Sequence, residues 1–413
     1  MRTLSGRKAE DMVKRLSARG TSLHDLEPLV QKVIDGVRRG GDRSLRRYAE
    51  RWDRLARNQS LQVPEQAMRD AWDALPTALR KSLREAAGNI RAFCEWQRPR
   101  SWTRTRAGIS LGQIVQPLES VGCYVPGGRY PLVSTLLMTV IPAQVAGVKN
   151  IRVVSPNPPV EVKAAAAMLG VRELYAVGGA QAIAALAYGT KSIRRVDKIV
   201  GPGNAYVTVA KKLVSFDCAI DFLAGPTEAV MLSESGIPEF IAGDLVAQAE
   251  HDPDALAVFI TTRRDLARSV RAKVARLAKG IVTAQKSLRA RGAILIAASR
   301  EQAREWASRI APEHITVEKQ DLRFVRNAGS IFVGDFSAQA AGDYASGPNH
   351  VLPTSGQARF RGGLSVMDFV KLITVQQVSA AGLRRIGSTI ECLARAEGLP
   401  AHAESVRLRR QHA

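Results

Sequence analysis

Apolar positions recur at three- and four-residue intervals over residues 9–19, 26–39 and 71–96, the spacing of a helix with one buried face. The first hundred residues therefore read as helical. After Arg98 the pattern changes. Short apolar runs at 121–125, 151–154, 174–177 and 198–200 each close on Gly or Pro and read as strands. Helical spacing fills the intervals at 159–169, 180–188 and 205–213. A second alternation follows, with strands predicted at 257–262, 293–297 and 315–318 and helices at 265–277 and 300–309. Strands alternating with helices imply parallel βαβ units. Residues 334–365 are rich in Gly, Ser and Pro, and a loop of that length is expected to be functional or disordered. From about Val375 the helical spacing returns. The pattern predicts two α/β modules and a small helical C-terminal piece.

At 413 residues the chain has room for two or three domains. Its 46% apolar and 24% charged residues match ordinary globular usage and exclude a disordered or fibrous chain. The net charge of +22 is unusual, from 60 Lys and Arg against 38 Asp and Glu. These basic residues are spread along helical stretches among acids. No basic run is interleaved with aromatics, so the charge reads as solvated surface and no specific nucleic-acid partner is expected. The first residues lack the apolar core of a signal peptide. The apolar stretch 134–148 is too short to span a bilayer. The four cysteines are far apart and form no CxxC pair. A cytoplasmic protein with reduced thiols and no membrane association is expected.

The candidate chemistry lies in loops and at element ends. No GxGxxG is present. Gly178-Gly179 and Gly201-Pro202-Gly203-Asn204 do stand between a predicted strand and a helix. There glycine permits either a simple tight turn or close approach of a phosphate to a helix N-terminus. Gln248 and His251 lie three apart in a predicted helix, so they share a face as metal ligands need. An exposed polar helix end would carry the same residues. Glu313-His314 follows Pro312. Two titratable groups side by side suit proton transfer, but neighbours in a regular strand point oppositely, so both reach one site only if the backbone is irregular there. Asp343 and His350 sit in the long loop, and Glu397 and His402 bracket Gly398 to Ala401.

Together these stretches resemble the histidinol dehydrogenase family. The resemblance rests on VGCYVPGGRYP at 121–131, VGGAQAIAALAYGT at 177–190, VDKIVGPGNAYV at 196–207, IDFLAGPTE at 220–228 and DLVAQAEHDP at 244–253. It continues through APEHITVE at 311–318, GDYASGPNHVLPTSGQARF at 342–360 and EGLPAH at 397–402. It implies an α/β fold of two incomplete Rossmann-like domains with parallel-rich sheets and small helical terminal segments. The implied division is an N-terminal helical segment 1–20, a first α/β domain of 21–120 with 229–370, an NAD-binding domain 121–228, and a helical C-terminal domain 371–413.

The resemblance also implies roles. Gln248, His251, Asp343 and His402 match zinc ligands, one Zn2+ per chain. Glu313 and His314 match the catalytic pair. Tyr124, Gln181 and Asn204 match NAD contacts. Thr227, Gln248, His251, His314, Asp343, His350, Glu397 and His402 match substrate contacts. The implied reaction is two successive oxidations of L-histidinol, through a bound aldehyde to L-histidine, using two NAD per turnover, at the end of histidine biosynthesis. The implied assembly is a homodimer whose C-terminal tail completes the neighbour's site. The chain departs from the family pattern at Thr227, where serine is expected, and at Arg129-Tyr130, where smaller residues are expected. A related zinc dehydrogenase of another small polar alcohol, such as a sulfonated diol, is the alternative. Glu397 weighs against it, because a carboxylate would repel a sulfonate.

Overall fold

The computed structural model describes residues 1–20, 23–127 and 132–412. The strands are β1 (Arg2–Ser5), β2 (Trp102–Arg106), β3 (Ile109–Pro117), β4 (Ser120–Tyr124), β5 (Asn150–Val154), β6 (Glu173–Tyr175) and β7 (Lys198–Val200). They continue as β8 (Ala219–Ile220), β9 (Glu228–Leu232), β10 (Leu256–Thr261), β11 (Ala293–Ile296), β12 (His314–Val317), β13 (Ser330–Val333) and β14 (Val370–Val378). The helices are α1 (Gly6–Ser17), α2 (Glu27–Trp52), α3 (Glu65–Ala74), α4 (Thr77–Gln97), α5 (Val133–Ala146), α6 (Val160–Met168), α7 (Gly179–Tyr188) and α8 (Ala205–Val214). After them come α9 (Pro238–His251), α10 (Arg264–Leu277), α11 (Val282–Ala290), α12 (Arg300–Ile310), α13 (Gln339–Tyr344), α14 (Ala380–Ala396) and α15 (Pro400–Gln411).

Two parallel sheets carry the molecule, as the alternating pattern predicts. One has the order β1-β11-β10-β9-β12-β13 and the other β6-β5-β4-β7-β8, and every pairing in both is parallel. In each, chain order reverses beside the first-formed α/β strand, between β9 and β12 and between β4 and β7. Such reversals open crevices where ligands bind in doubly wound sheets. β10 reads LAVFIT and is buried at every position. Helices on both faces of a parallel sheet remove the polar alternation that a one-sided strand shows.

Three placements differ from the sequence reading. The first twenty residues are not wholly helical: β1 adds an edge strand to the first sheet beside β11. Residues 27–97 pack through α2 on α7 and α8, α3 on α6 and α4 on α5, so they cover helices of the 121–228 module rather than joining 229–370. The apolar stripe Val30, Val33, Ile34 and Val37 makes that contact face on α2. Finally, β14 pairs antiparallel with β3, and β3 with β2, forming a third sheet outside the two modules. Only then do α14 and α15 follow. Ser379 Oγ donates to Gly108 O at 2.9 Å, tying the start of α14 to the turn between β2 and β3. Arg410 pairs with Glu391 at 2.7 Å, tying α15 to α14.

The Gly-rich loop is ordered and stitches the two modules together. Asn349 Nδ2 donates to Met138 O at 2.6 Å and Gln357 Nε2 to Leu223 O at 2.6 Å. Thr354 Oγ1 accepts from Gly225 N at 2.6 Å. Among the described residues no helix is long and apolar enough to cross a membrane.

Candidate active site

The catalytic candidates meet at the leading edge of the first sheet, where β9 and β12 begin. Thr227 immediately precedes β9, and Glu313 immediately precedes β12. Ala311 has a left-handed backbone at φ +49°, and Pro312 follows it. This irregular entry puts Glu313 outside the strand's alternation, so it lies on the same side as His314. Their side chains stand 3.7 Å apart, His314 Nδ1 to Glu313 Oε2.

A chain of hydrogen bonds runs through Glu313. Gln248 Nε2 donates to Thr227 Oγ1 at 2.5 Å, which donates to Glu313 Oε2 at 2.6 Å. The same oxygen accepts from Glu228 N at 2.8 Å. Glu313 Oε1 is the oxygen left to meet a reactant. Burial pushes the Glu313 carboxyl well above the usual range, against the pull of Thr227 and the Glu228 amide.

His314 is held in one tautomer. Its Nδ1 lies 3.3 Å from Glu228 O, an atom that can only accept, so Nδ1 carries the proton and Nε2 the lone pair. Nε2 faces Asp343 Oδ1 at 3.8 Å. Burial lowers the pKa of His314, while the Asp343 charge opposes that shift. His350 Nδ1 donates to Asp343 O at 2.8 Å, and its Nε2 lies 3.4 Å from Thr135 Oγ1.

A partly buried ion pair fixes this edge from behind. Arg19 Nε and Nη2 bind Glu228 Oε1 and Oε2 at 2.6 and 2.5 Å. Arg19 Nη1 also donates to Ile310 O at 2.7 Å, just before the left-handed turn. Ser355 N donates to Glu228 Oε1 at 2.9 Å. Sequence reasoning missed Arg19 and Glu228. The signals were an acid at the head of an otherwise apolar strand and its place beside Thr227.

For a metal, the chain brings together Gln248 and His251 on α9 with Asp343 on α13. Burial is the main cause that lowers His314 and His350, and the nearby His251 adds a smaller push in the same direction. Gln248 is buried, and with its Nε2 donated to Thr227 its amide oxygen is the atom available to a cation. This set of one nitrogen and two oxygens fits a borderline divalent cation but is incomplete. Among the described residues no three His, Cys, Asp or Glu side chains gather closely enough to hold a metal ion. Glu397 and His402 are exposed on the α14–α15 tail.

The cofactor candidates stand at the trailing edge of the second sheet, beside its reversal. Tyr124 ends β4, and its hydroxyl accepts from Gly179 N at 3.1 Å. Burial pushes this phenol up to about 12. Gln181, in the first turn of α7, is buried. Asn204 caps α8, its Oδ1 accepting from Val207 N at 3.2 Å. A Cβ at Gly201 would collide with Tyr124 O, so glycine is required where β7 passes β4. Arg129-Tyr130 lies outside the described residues.

The crevice at the trailing edge of the first sheet is narrowed to about 30 Å³ by the protein's own groups, Ser233, Asp244, Glu318 and Asp335 among them. Glu318, just past β12, takes bonds from Glu234 N at 2.7 Å and Ser235 N at 2.8 Å. Ser233 Oγ donates at 2.9 Å, and Arg300 Nη2 at 2.7 Å. A carboxylate of the protein fills the position where a doubly wound sheet would hold a ligand's phosphate.

Comparison with known proteins agrees over the whole chain. A family profile described as histidinol dehydrogenase matches residues 16–410. The histidinol dehydrogenase of Methanothermobacter thermautotrophicus is 45% identical, covering 98% of this chain and 97% of its own. That of Thermus thermophilus is 44% identical, with 97% and 99% covered. A solved histidinol dehydrogenase from Elizabethkingia anophelis superposes with a TM-score of 0.95 at 34% identity, covering 100% of this chain and 98% of that one. On its sequence, its paired parallel sheets and these relatives, the chain belongs to the histidinol dehydrogenase family.

Proposed function

We propose that the chain oxidises L-histidinol twice, first to the bound aldehyde and then to L-histidine, reducing two NAD. The observation that carries this reading is the pairing of two buried proton acceptors, 3.7 Å apart, with distinct environments. An alcohol oxidation needs one base for the hydroxyl proton. An aldehyde oxidation needs another to activate water. His314, neutral with its lone pair on Nε2, takes the hydroxyl proton. Glu313 Oε1 takes a proton from water to form the aldehyde hydrate, and Thr227 and the Glu228 amide steady the carboxylate. Burial of both side chains keeps bulk water from the reacting carbon. NAD, when bound, supplies the hydride acceptor, and zinc held by Gln248, His251 and Asp343 supplies a fixed positive charge that orients the amino alcohol.

The second sheet is the cofactor module in this reading. Tyr124, Gln181 and Asn204 stand together at its trailing edge, whereas Glu318 occupies the equivalent place in the first sheet. Thr227, His350 and the metal ligands contact the substrate. The sulfonated-diol alternative gains no support from the relatives.

The fourth metal ligand, His402, and the substrate contact Glu397 come from a second copy of the chain. Two observations support a homodimer with exchanged tails. Both residues face solvent on a tail anchored to the third sheet. That sheet also exposes aliphatic side chains on both faces, including Leu111, Ile114, Leu372 and Ile373 at 44–47%. Apolar area of that kind marks an interaction surface. A cytoplasmic setting accords with a biosynthetic reaction of this type.

The test is stoichiometry. With limiting histidinol and excess NAD, two NADH should appear per histidinol, and histidine should be the product. One NADH per substrate, or faster turnover of a sulfonated diol, overturns the reading.

A further inference from the structure

Asp53 follows α2, in a part of the chain where the sequence analysis placed no functional residue. It is 7% exposed. Its Oδ2 accepts from both Gly178 N and Gln181 Nε2, each at 3.0 Å. The turn it grips has no slack. A Cβ on Gly178 would stand 2.6 Å from Pro156, and Gly179 has φ +61°. Gly179 N in turn donates to the Tyr124 hydroxyl. One carboxylate thus fixes the Gly178-Gly179 turn and the Gln181 amide, and through the turn it fixes the Tyr124 hydroxyl.

The polarity of this arrangement has a consequence. An ionised carboxylate only accepts, so Gln181 must turn its Nε2 inward. Its Oε1 then lies over Gly179, where a Cβ would come within 2.7 Å of it. The Tyr124 oxygen is occupied as an acceptor, so its own proton points to any further partner. The crevice therefore presents one acceptor, Gln181 Oε1, beside one donor, the Tyr124 hydroxyl. That pair suits a vicinal hydroxyl or an amide. Asp53 satisfies the Gly178 amide and Tyr124 the Gly179 amide at the start of α7, which leaves the start of α8 as the place for a phosphate.

We propose that Asp53 is a positioning residue for the cofactor, holding Gln181 with its amide oxygen turned toward NAD. The proposal rests on the reading of the second sheet as the NAD module. Both bonds fall on the one oxygen Oδ2, so Asp53→Asn can keep them through its amide oxygen, whereas Asp53→Ala removes the acceptor and frees the Gln181 amide to turn its donor toward the cofactor.

The experiment is a cycle of Asp53→Ala and Gln181→Ala, read by steady-state KM for NAD and for histidinol in the metal-loaded enzyme. Asp53→Ala should raise the KM for NAD about tenfold and that for histidinol much less, while Asp53→Asn should stay within about threefold of the parent. In the Gln181→Ala background Asp53→Ala should add less than about twofold. Equal effects in both backgrounds, or equal rises in both KM values, overturn the role through Gln181. If Gln181→Ala alone leaves the KM for NAD unchanged, the cofactor reading fails and the proposal with it. Should Asp53→Ala fail to fold, Gln181→Glu sets a second carboxylate against Asp53. It should then raise the KM for NAD selectively, and a KM for NAD that does not move overturns the proposal.

Discussion

Thr227→Val tests the hydrogen-bond chain at Glu313 with little change of shape. Valine keeps the branched side chain and removes only the hydroxyl. Two bonds then disappear, the 2.6 Å bond to Glu313 Oε2 and the 2.5 Å bond from Gln248. Glu313 is 6% exposed, so water cannot readily replace the lost donor. A hydrogen bond to a buried charged group contributes about 1.5–3 kcal/mol. Its loss raises the Glu313 pKa further and removes carboxylate from the reaction. At 1.36 kcal/mol per decade, the step that uses Glu313 as a base should slow by roughly 10- to 150-fold. The assay is NADH production with histidinaldehyde supplied directly, compared with histidinol. Thr227→Ser keeps the hydroxyl and should stay within about threefold of the parent. The reasoning is refuted if Thr227→Val turns the aldehyde over at the parental rate, or if the serine variant is as impaired as the valine variant.

Glu313→Gln should impair oxidation of the aldehyde more than that of the alcohol. Single-turnover rates on the two substrates separate the steps, and equal losses contradict the division of labour. Arg19→Met leaves Glu228 buried without its counter-charge and should cost about 3–5 kcal/mol in denaturant unfolding. Adding Glu228→Gln should recover about half of that loss, and additive effects would show that the pair is not coupled. Burial pushes Glu318 up, but the Glu234 and Ser235 amides, Ser233 and Arg300 outweigh it and hold the carboxyl at about 2, below its ordinary 4.5. Its contribution is therefore present above about pH 4.5 and is lost as pH falls toward 2. Glu318→Gln should be less stable by about 2–3 kcal/mol at pH 7, with the gap closing across that window, and a gap independent of pH contradicts the assignment.

The alternating strands and helices were legible because βαβ units impose a strong local period. The apolar stretch 134–148, read only as too short for a bilayer, forms most of α5, which runs through Pro142 among buried neighbours. The third sheet was illegible for a different reason. β14 shows no clean alternation, because its side chains are exposed on both faces in the single chain. Residues 27–97 gave no sign of which module they cover, since an apolar stripe does not name its partner. At the site, motifs identified the reacting groups but not their supports. Asp53 and Arg19 act from positions far away in sequence, and only folding brings the carboxylate to the Gly178-Gly179 turn and the guanidinium to Glu228, the neighbour of Thr227. The irregular backbone needed for Glu313 and His314 to share a face was foreseen from Pro312, and the left-handed Ala311 supplies it.

The central claim is that one working site takes Glu313 from one chain and His402 from another. Glu313→Ala and His402→Ala chains, each inactive alone, are co-expressed with different tags, and the doubly tagged dimer is isolated. In that dimer one site has both residues intact and the other has neither, so it should show about half the parental activity per dimer. An unfractionated random mixture, in which about half the dimers are mixed, should show roughly a quarter. A doubly tagged dimer no more active than either parent would contradict the account, because a site built within one chain leaves every combination dead.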